Sequence, residues 1–186
     1  MTVIASAISK SGRIFMGGDG VATQDDSVRV GVNPKVFQRG AFLIGSTGTV
    51  RVCQIIEHVF NPPRHESGVS VESYMVGKFV KALRKAMQDH GGEVESNGNG
   101  KIMNGRCLVG YRGRLFEIDS AYGVFMPSLP YHAVGCAEQV ALGAMYALKN
   151  ANPEETIKAA LEASAEFDCN IRPPFTIKSI PEKLSK

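Results

Sequence analysis

Several features that would announce a function at once are missing from this chain. Its four cysteines are Cys53, Cys107, Cys136 and Cys169, and no two stand as C-x-x-C. That excludes the usual zinc and thioredoxin-like arrangements, and isolated thiols suit a reducing compartment. No run of 18 apolar residues is available to span a membrane. Asp19, Asp25 and Asp26 break up the opening of the chain before a signal-peptide core can form. A dense basic block is absent too: 21 Lys and Arg stand against 18 Asp and Glu, for a net charge of +3. The short basic stretches 81–85 and 112–114 read as solvated faces, so no nucleic-acid partner is expected. There are no repeats and no linker-like stretch. The expectation is a cytoplasmic protein whose residues 1–186 form one domain, large enough to build a core without a metal or a disulfide.

What the chain does have is a succession of short strands and paired helices. Residues 3–9 and 13–18 flank "KSG", which predicts a hairpin turning at Gly12. "SVRVGV" alternates with period two and places Val28, Val30 and Val32 on one face. "KVFQ" and "AFLIGS" predict a second hairpin, and "TVRVCQIIEHVF" has helical spacing with Val52, Ile55, Ile56 and Val59 inward. Ser70 is the N-cap of a long helix reaching His90, with Val76, Phe79, Val80, Leu83 and Met87 on its apolar face. The Gly- and Asn-rich segment 91–105 predicts a loop or a loose hairpin tip. "RCLVGYRGRLFEID", "YGVFM" and "YHAVG" predict more strands, then helices near 137–150 and 153–168, then a last strand in "PFTIKSI". Asn152, Pro153 and Glu155 form a clear start signal for the second of these helices. Helix pairs set around antiparallel strands imply an α+β fold in four layers, αββα.

Four residues stand out chemically. Asp168 follows Ile157, Ala160, Leu161 and Ser164 along one helical stripe, where a core residue is expected. It lies at a helix C-terminus, where the macrodipole disfavours negative charge. It is either a structural hydrogen-bond acceptor or a member of a polar site. Taken singly, Lys35 reads as an edge lysine, Asp19 in "GGDG" as a turn aspartate, and Thr2 as unremarkable. Their combination is more informative. A threonine hydroxyl is a weak nucleophile that needs a base. If Met1 is removed, the free α-amine of Thr2, with a reference pKa near 8, is that base. A lysine held by an aspartate would tune both groups electrostatically.

These stretches together resemble proteasome β-type subunits and the HslV peptidase, which are N-terminal-nucleophile hydrolases, and above all small bacterial and phage proteasome-like proteins. "TVIASA…GRIFMGGDGVAT" is similar to the opening threonine strand and Gly-Asp-Gly of that family, and the Asp19-to-Lys35 spacing matches. "FLIGSTGT" resembles its glycine segment, "HAVGCAEQVALGAMYAL" its Gly-Ser-Gly helix start, and "EFDCNIRPPFTI" its late aspartate and last strand. The resemblance implies an αββα fold and a threonine endopeptidase that needs no cofactor or metal. Thr2 would be the nucleophile, Lys35 would ease its deprotonation, and Asp19 would orient Lys35. The Gly45 amide, rather than that of Gly48, would stabilise the oxyanion, Asp168 would hold the terminus, and Ala22-Thr23 would pair with a peptide or unfolded-protein substrate. It implies a homo-oligomeric ring around an inner chamber and leaves open an ATP-dependent unfoldase as partner.

The chain departs from the family in three places. Cys136 stands where the family often has serine, and a thiol is the poorer donor. Ile171 replaces a second late serine. One extra residue before Gly12 is needed to bring Thr2, rather than Val3, onto the nucleophile position. Two alternatives follow from the same reading: an inactive ring-forming or interaction subunit, and an amidohydrolase of the same fold acting on small amides.

Overall fold

Strands β1 (Val3–Ile8) and β2 (Ile14–Gly18) form the opening hairpin, paired from Ile4 opposite Gly18 to Ile8 opposite Ile14. The structure, a computed structural model, describes residues 1–24, 27–30, 34–96, 98 and 100–182. A small hairpin follows, of β3 (Val21–Gln24) and β4 (Ser27–Val30). Gly31 and Val32, the rest of the alternating stretch expected there, lie outside the described residues. The next hairpin is β5 (Val36–Arg39) with β6 (Phe42–Ser46). Then come helices α1 (Val50–Gln54), α2 (Val71–Tyr74) and α3 (Val80–His90). The glycine-rich segment 91–105 contributes the paired strands β7 (Glu93–Ser96) and β8 (Gly100–Met103). The chain continues through β9 (Cys107–Tyr111), β10 (Arg114–Ile118), β11 (Val124–Phe125) and β12 (Tyr131–Gly135). Helices α4 (Glu138–Ala147) and α5 (Pro153–Phe167) and strand β13 (Thr176–Ile180) complete it.

Among the described residues the larger sheets are antiparallel, one ordered β12-β1-β2-β13 and the other β11-β10-β9-β6-β5. The layering follows from strand alternation. On β1, Val3, Ala5 and Ala7 face α4 and α5, where they pack with Ala141, Met145, Ile157 and Leu161. Ile4 faces the other way and joins Ile14, Met16, Val36, Leu43 and Leu108 between the two sheets. On the far side of the second sheet, Ile44, Val109 and Phe116 meet Val52, Ile55, Tyr74, Phe79 and Leu83 from α1 to α3. Three buried clusters thus hold four layers, helix, sheet, sheet and helix, and each fully buried Leu, Ile or Phe contributes about 1.5–3 kcal/mol. No helix among the described residues is long and apolar enough to cross a membrane.

The helical faces differ from the expected ones at Val59 and Val76, which are 42% and 56% exposed. The cause is local. Residues Ile55–Val59 and Met75–Phe79 wind as π-helical turns, with Phe60 N–H donating to Ile55 O and Val80 N–H to Met75 O. The wider turn shifts the phase, so Tyr74 and Met75 lead into Phe79, Leu83 and Met87 and Val76 turns outward. Asp168 also leaves its expected stripe. Ser164 is fully buried, but α5 ends at Phe167 and Asp168 is its extended C-cap, at φ −125° and ψ 112°.

Candidate active site

The mouth between the two sheets is built around the start of β1. Thr2 shares the inter-sheet face of Ile4 by alternation and is only 6% exposed. Its Oγ1 donates to Met1 O at 2.6 Å, and the same carbonyl accepts from Lys35 Nζ at 3.3 Å. Lys35 precedes β5, and its nitrogen also donates to Asp19 Oδ2 at 2.7 Å and to Val21 O. Asp19 follows β2 and is 1% exposed. Its Oδ1 accepts Val3 N–H at 3.0 Å, and the Val21 amide bonds the same carboxyl. Burial pushes the Asp19 carboxyl up from its ordinary value, against the lowering influence of Lys35 and the two amides. The structure therefore brings Thr2, Asp19 and Lys35 into one connected group. Val3 takes no part through its side chain, which is fully buried among the residues facing α4 and α5.

The amides around Gly45 point in directions set by strand alternation. Ser46 N–H donates to Lys35 O on the β5 side, and Thr47 N–H donates to Arg106 O on the β9 side. Gly45, opposite Leu108, thus directs its N–H toward β9, away from the Lys35 edge. It is glycine for a packing reason: a Cβ there would stand 2.4 Å from Ile4 Cγ2. The oxyanion role expected of Gly45 does not fit this geometry. Gly48 fits better. It is exposed, its N–H has no partner among the described residues, and it holds φ +101°, which favours glycine.

Ala22 and Thr23 lie on β3, whose strand partner among the described residues is β4 alone. Val21 turns its N–H and C=O to Asp19 and Lys35, away from β4. Alternation then places the backbone groups of Thr23 on that same free edge and those of Ala22 toward β4.

Cys136 and Asp168 close the other side. Cys136 N–H donates to Thr2 O at 2.9 Å, and its thiol lies 3.4 Å from Thr2 O and 3.3 Å from Asp168 Oδ2. Burial raises the thiol above its ordinary pKa, so it remains a protonated donor. Asp168 is held below the usual carboxylate range, chiefly by the Asn170 amide, which donates to Oδ1 at 2.9 Å. Two residues that the sequence reading passed over, Arg106 and Glu138, bracket the Gly135–Cys136 turn. Isolated charges in unremarkable surroundings carried no signal in the sequence that would have singled them out.

No protein-family model matches the chain, and no curated protein sequence matches it. Solved structures do. Thiobacillus denitrificans BPH superposes with a TM-score of 0.79 at 21% identity, covering 100% of both chains. HslV from Trypanosoma brucei gives 0.68 at 16% identity, over 96% of this chain and 99% of that one. Anbu (ancestral beta-subunit) from Yersinia bercovieri gives 0.64 at 14%, over 97% and 82%. The chain has the proteasome-type fold of N-terminal-nucleophile hydrolases.

Proposed function

We propose that this protein is a threonine-type peptidase whose nucleophile is Thr2, freed as the amino terminus by removal of Met1. The observation that carries the reading is the meeting of the Thr2 hydroxyl and the Lys35 ammonium on one carbonyl, that of Met1, with Lys35 tied to the buried Asp19. Once Met1 is gone, hydroxyl and ammonium lose that shared acceptor and are left facing the same small space. The register of β1 favours Thr2 over Val3 in this role, since Val3 is core.

In the first step the Thr2 α-amine takes the hydroxyl proton and Oγ1 bonds the substrate carbonyl carbon. The Lys35 charge stabilises the developing alkoxide. The tetrahedral oxyanion is received by the Gly48 N–H, a kind of contact worth about 3–4 kcal/mol where single donors have been removed. The carbon–nitrogen bond then breaks, the departing amine takes the proton from the α-ammonium, and an ester to Thr2 remains. Water, deprotonated by the same amine, releases the acid and restores the hydroxyl. A peptide or unfolded chain would add as a strand along the Thr23 edge of β3. Assembly as a homo-oligomeric ring, service by an ATP-dependent unfoldase and a cytoplasmic location belong to the same reading.

The test joins intact mass with peptide cleavage. The purified protein should lack Met1 and cleave unstructured peptides, and Thr2→Ala at equal folded content should cleave none above background. Undiminished cleavage by Thr2→Ala removes Thr2 from the mechanism, and a protein that retains Met1 yet cleaves removes the amine.

A further inference from the structure

The two halves of the site belong to different sheets. Thr2 and the Gly135–Cys136 turn that grips its carbonyl lie with β1 and β12, whereas Thr47 and Gly48 follow β6. Arg106, the residue before β9, is bonded to both. Its backbone fixes the second half: Thr47 N–H donates to Arg106 O at 2.9 Å, and Arg106 N–H donates to Thr47 Oγ1 at 3.2 Å. Its guanidinium fixes the first: Nη2 donates to Glu138 Oε2 at 2.6 Å and lies 3.4 Å from Gly135 O. Glu138 Oε2 in turn accepts Gly135 N–H at 3.2 Å. Both polar groups of Gly135 are thereby held by one ion pair.

Apart from the Cys136 contacts to Thr2 O and Asp168, the turn lacks a side-chain cap. The N-cap of α4 is Ala137, which supplies no side-chain cap, and Glu138 at the helix start folds back as the acceptor. Gly135 holds φ +123°, and a Cβ there would stand 2.0 Å from Thr2 O. Any slackening of the turn therefore moves the atoms that hold the nucleophile. The other arm of the guanidinium, Nη1, donates to Glu117 Oε1 at 3.2 Å, and Glu117 Oε2 lies 2.7 Å from His132 Nε2 on β12. The planar fork is thus fixed at both ends, which a lysine ammonium does not reproduce.

We propose that Arg106, acting with Glu138, is a positioning residue that sets the separation between Thr2 and the Thr47–Gly48 segment. Neither touches the reacting atoms. The kinetic consequence rests on the peptidase reading; the geometric consequence does not, and the experiment separates them. Arg106→Met and Glu138→Gln are made in a Cys169→Ser background, so that Cys136 is the accessible thiol near the site. Peptide kcat and KM, the rate of Cys136 alkylation by iodoacetamide, and thermal unfolding are measured for each. Arg114→Met, which breaks the surface pair with Glu72, serves as control.

Displacement of the nucleophile by about 1 Å predicts that both variants lose roughly 10- to 100-fold in kcat, with KM within about twofold. Cys136, released from Thr2 and Asp168, should alkylate on the order of 10-fold faster at unchanged folded content, since its reactivity follows access and thiolate fraction. Arg106→Lys should recover only part of kcat, and Arg114→Met should match the parent in every readout. Parental kcat and parental alkylation in Arg106→Met overturn the proposal, as does an equal loss in Arg114→Met. If Arg106→Met does not fold, the isosteric Glu138→Gln decides by the same criteria. If the parent cleaves no peptide, the peptidase reading falls and the alkylation rates alone decide the clamp: equal rates in parent and variant overturn it.

Discussion

Replacing Lys35 by methionine removes the only side-chain cation among the described residues that is bonded to the Asp19 carboxylate, which is 1% exposed. Methionine keeps most of the aliphatic stem, so the packing cost is small and the electrostatic cost dominates. Breaking a buried pair from one side typically destabilises by about 3–5 kcal/mol, because the remaining charge is uncompensated. For a domain of this size that corresponds to a fall in melting temperature of about 6–20 °C. The loss should depend on pH, with a defined sign. The Asp19 carboxyl is already raised in the folded protein because burial outweighs Lys35 and the amides. Without Lys35 it rises further. A carboxyl raised on folding contributes stability that is fully present below its unfolded value, near 4, and lost as pH climbs through its folded value. Lys35→Met should therefore be most deficient at pH 8 and approach the parent toward pH 4.5. Adding Asp19→Asn should recover much of the loss at pH 8, because the amide oxygen still accepts Val3 N–H without carrying charge. Urea unfolding of the parent, both single variants and the double variant at the two pH values measures the coupling. A pH-independent deficit, or a double variant no more stable than Lys35→Met, would refute the buried-pair argument.

Other consequences follow from the same structure. Gly45→Ala places a methyl 2.4 Å from Ile4 Cγ2 and 2.9 Å from Met16 Sδ, and overpacking of this kind costs about 1–3 kcal/mol, visible as a lower urea midpoint. Asn152 caps α5 by accepting Glu154 N–H at 2.9 Å, so Asn152→Ala should cost about 1 kcal/mol and leave any peptide cleavage unaltered. Asp168 is depressed on folding, so its contribution is present above the ordinary carboxylate range and lost as pH falls through its folded value. Asp168→Asn should therefore lower the melting temperature at pH 7 and approach the parent progressively as pH falls below the ordinary carboxylate range, as read by thermal scans across that interval.

The layered fold was legible because each layer writes its own period. The alternation in β1 sends Val3, Ala5 and Ala7 one way and Ile4 the other, and the cap at Asn152 opens α5 where its start signal stands. The long helix misled at Val76 because hydrophobic spacing assumes a constant turn. The π-helical turn at Met75–Phe79 is a response to packing that no local preference announces. The Asp19–Lys35 pair was expected from the match to the family's spacing rather than from any periodicity, and the two side chains meet at 2.7 Å. Asp168 was singled out for a wrong geometric reason, since the helix stops one residue before it.

By itself, then, the sequence determined most of the strands and helices and the faces they bury outside the π-helical turns, since periodicity is a local property, while the grouping of Thr2, Asp19 and Lys35 rested on their chemistry and on the family resemblance. Only the tertiary structure decided that Gly48 rather than Gly45 offers an amide with no partner among the described residues and that Arg106 joins the two sheets across the site. Both follow from strand pairing between segments distant in the chain: the partner of β6 fixes which way each N–H points, and the β9 edge brings Arg106 to a turn 29 residues later.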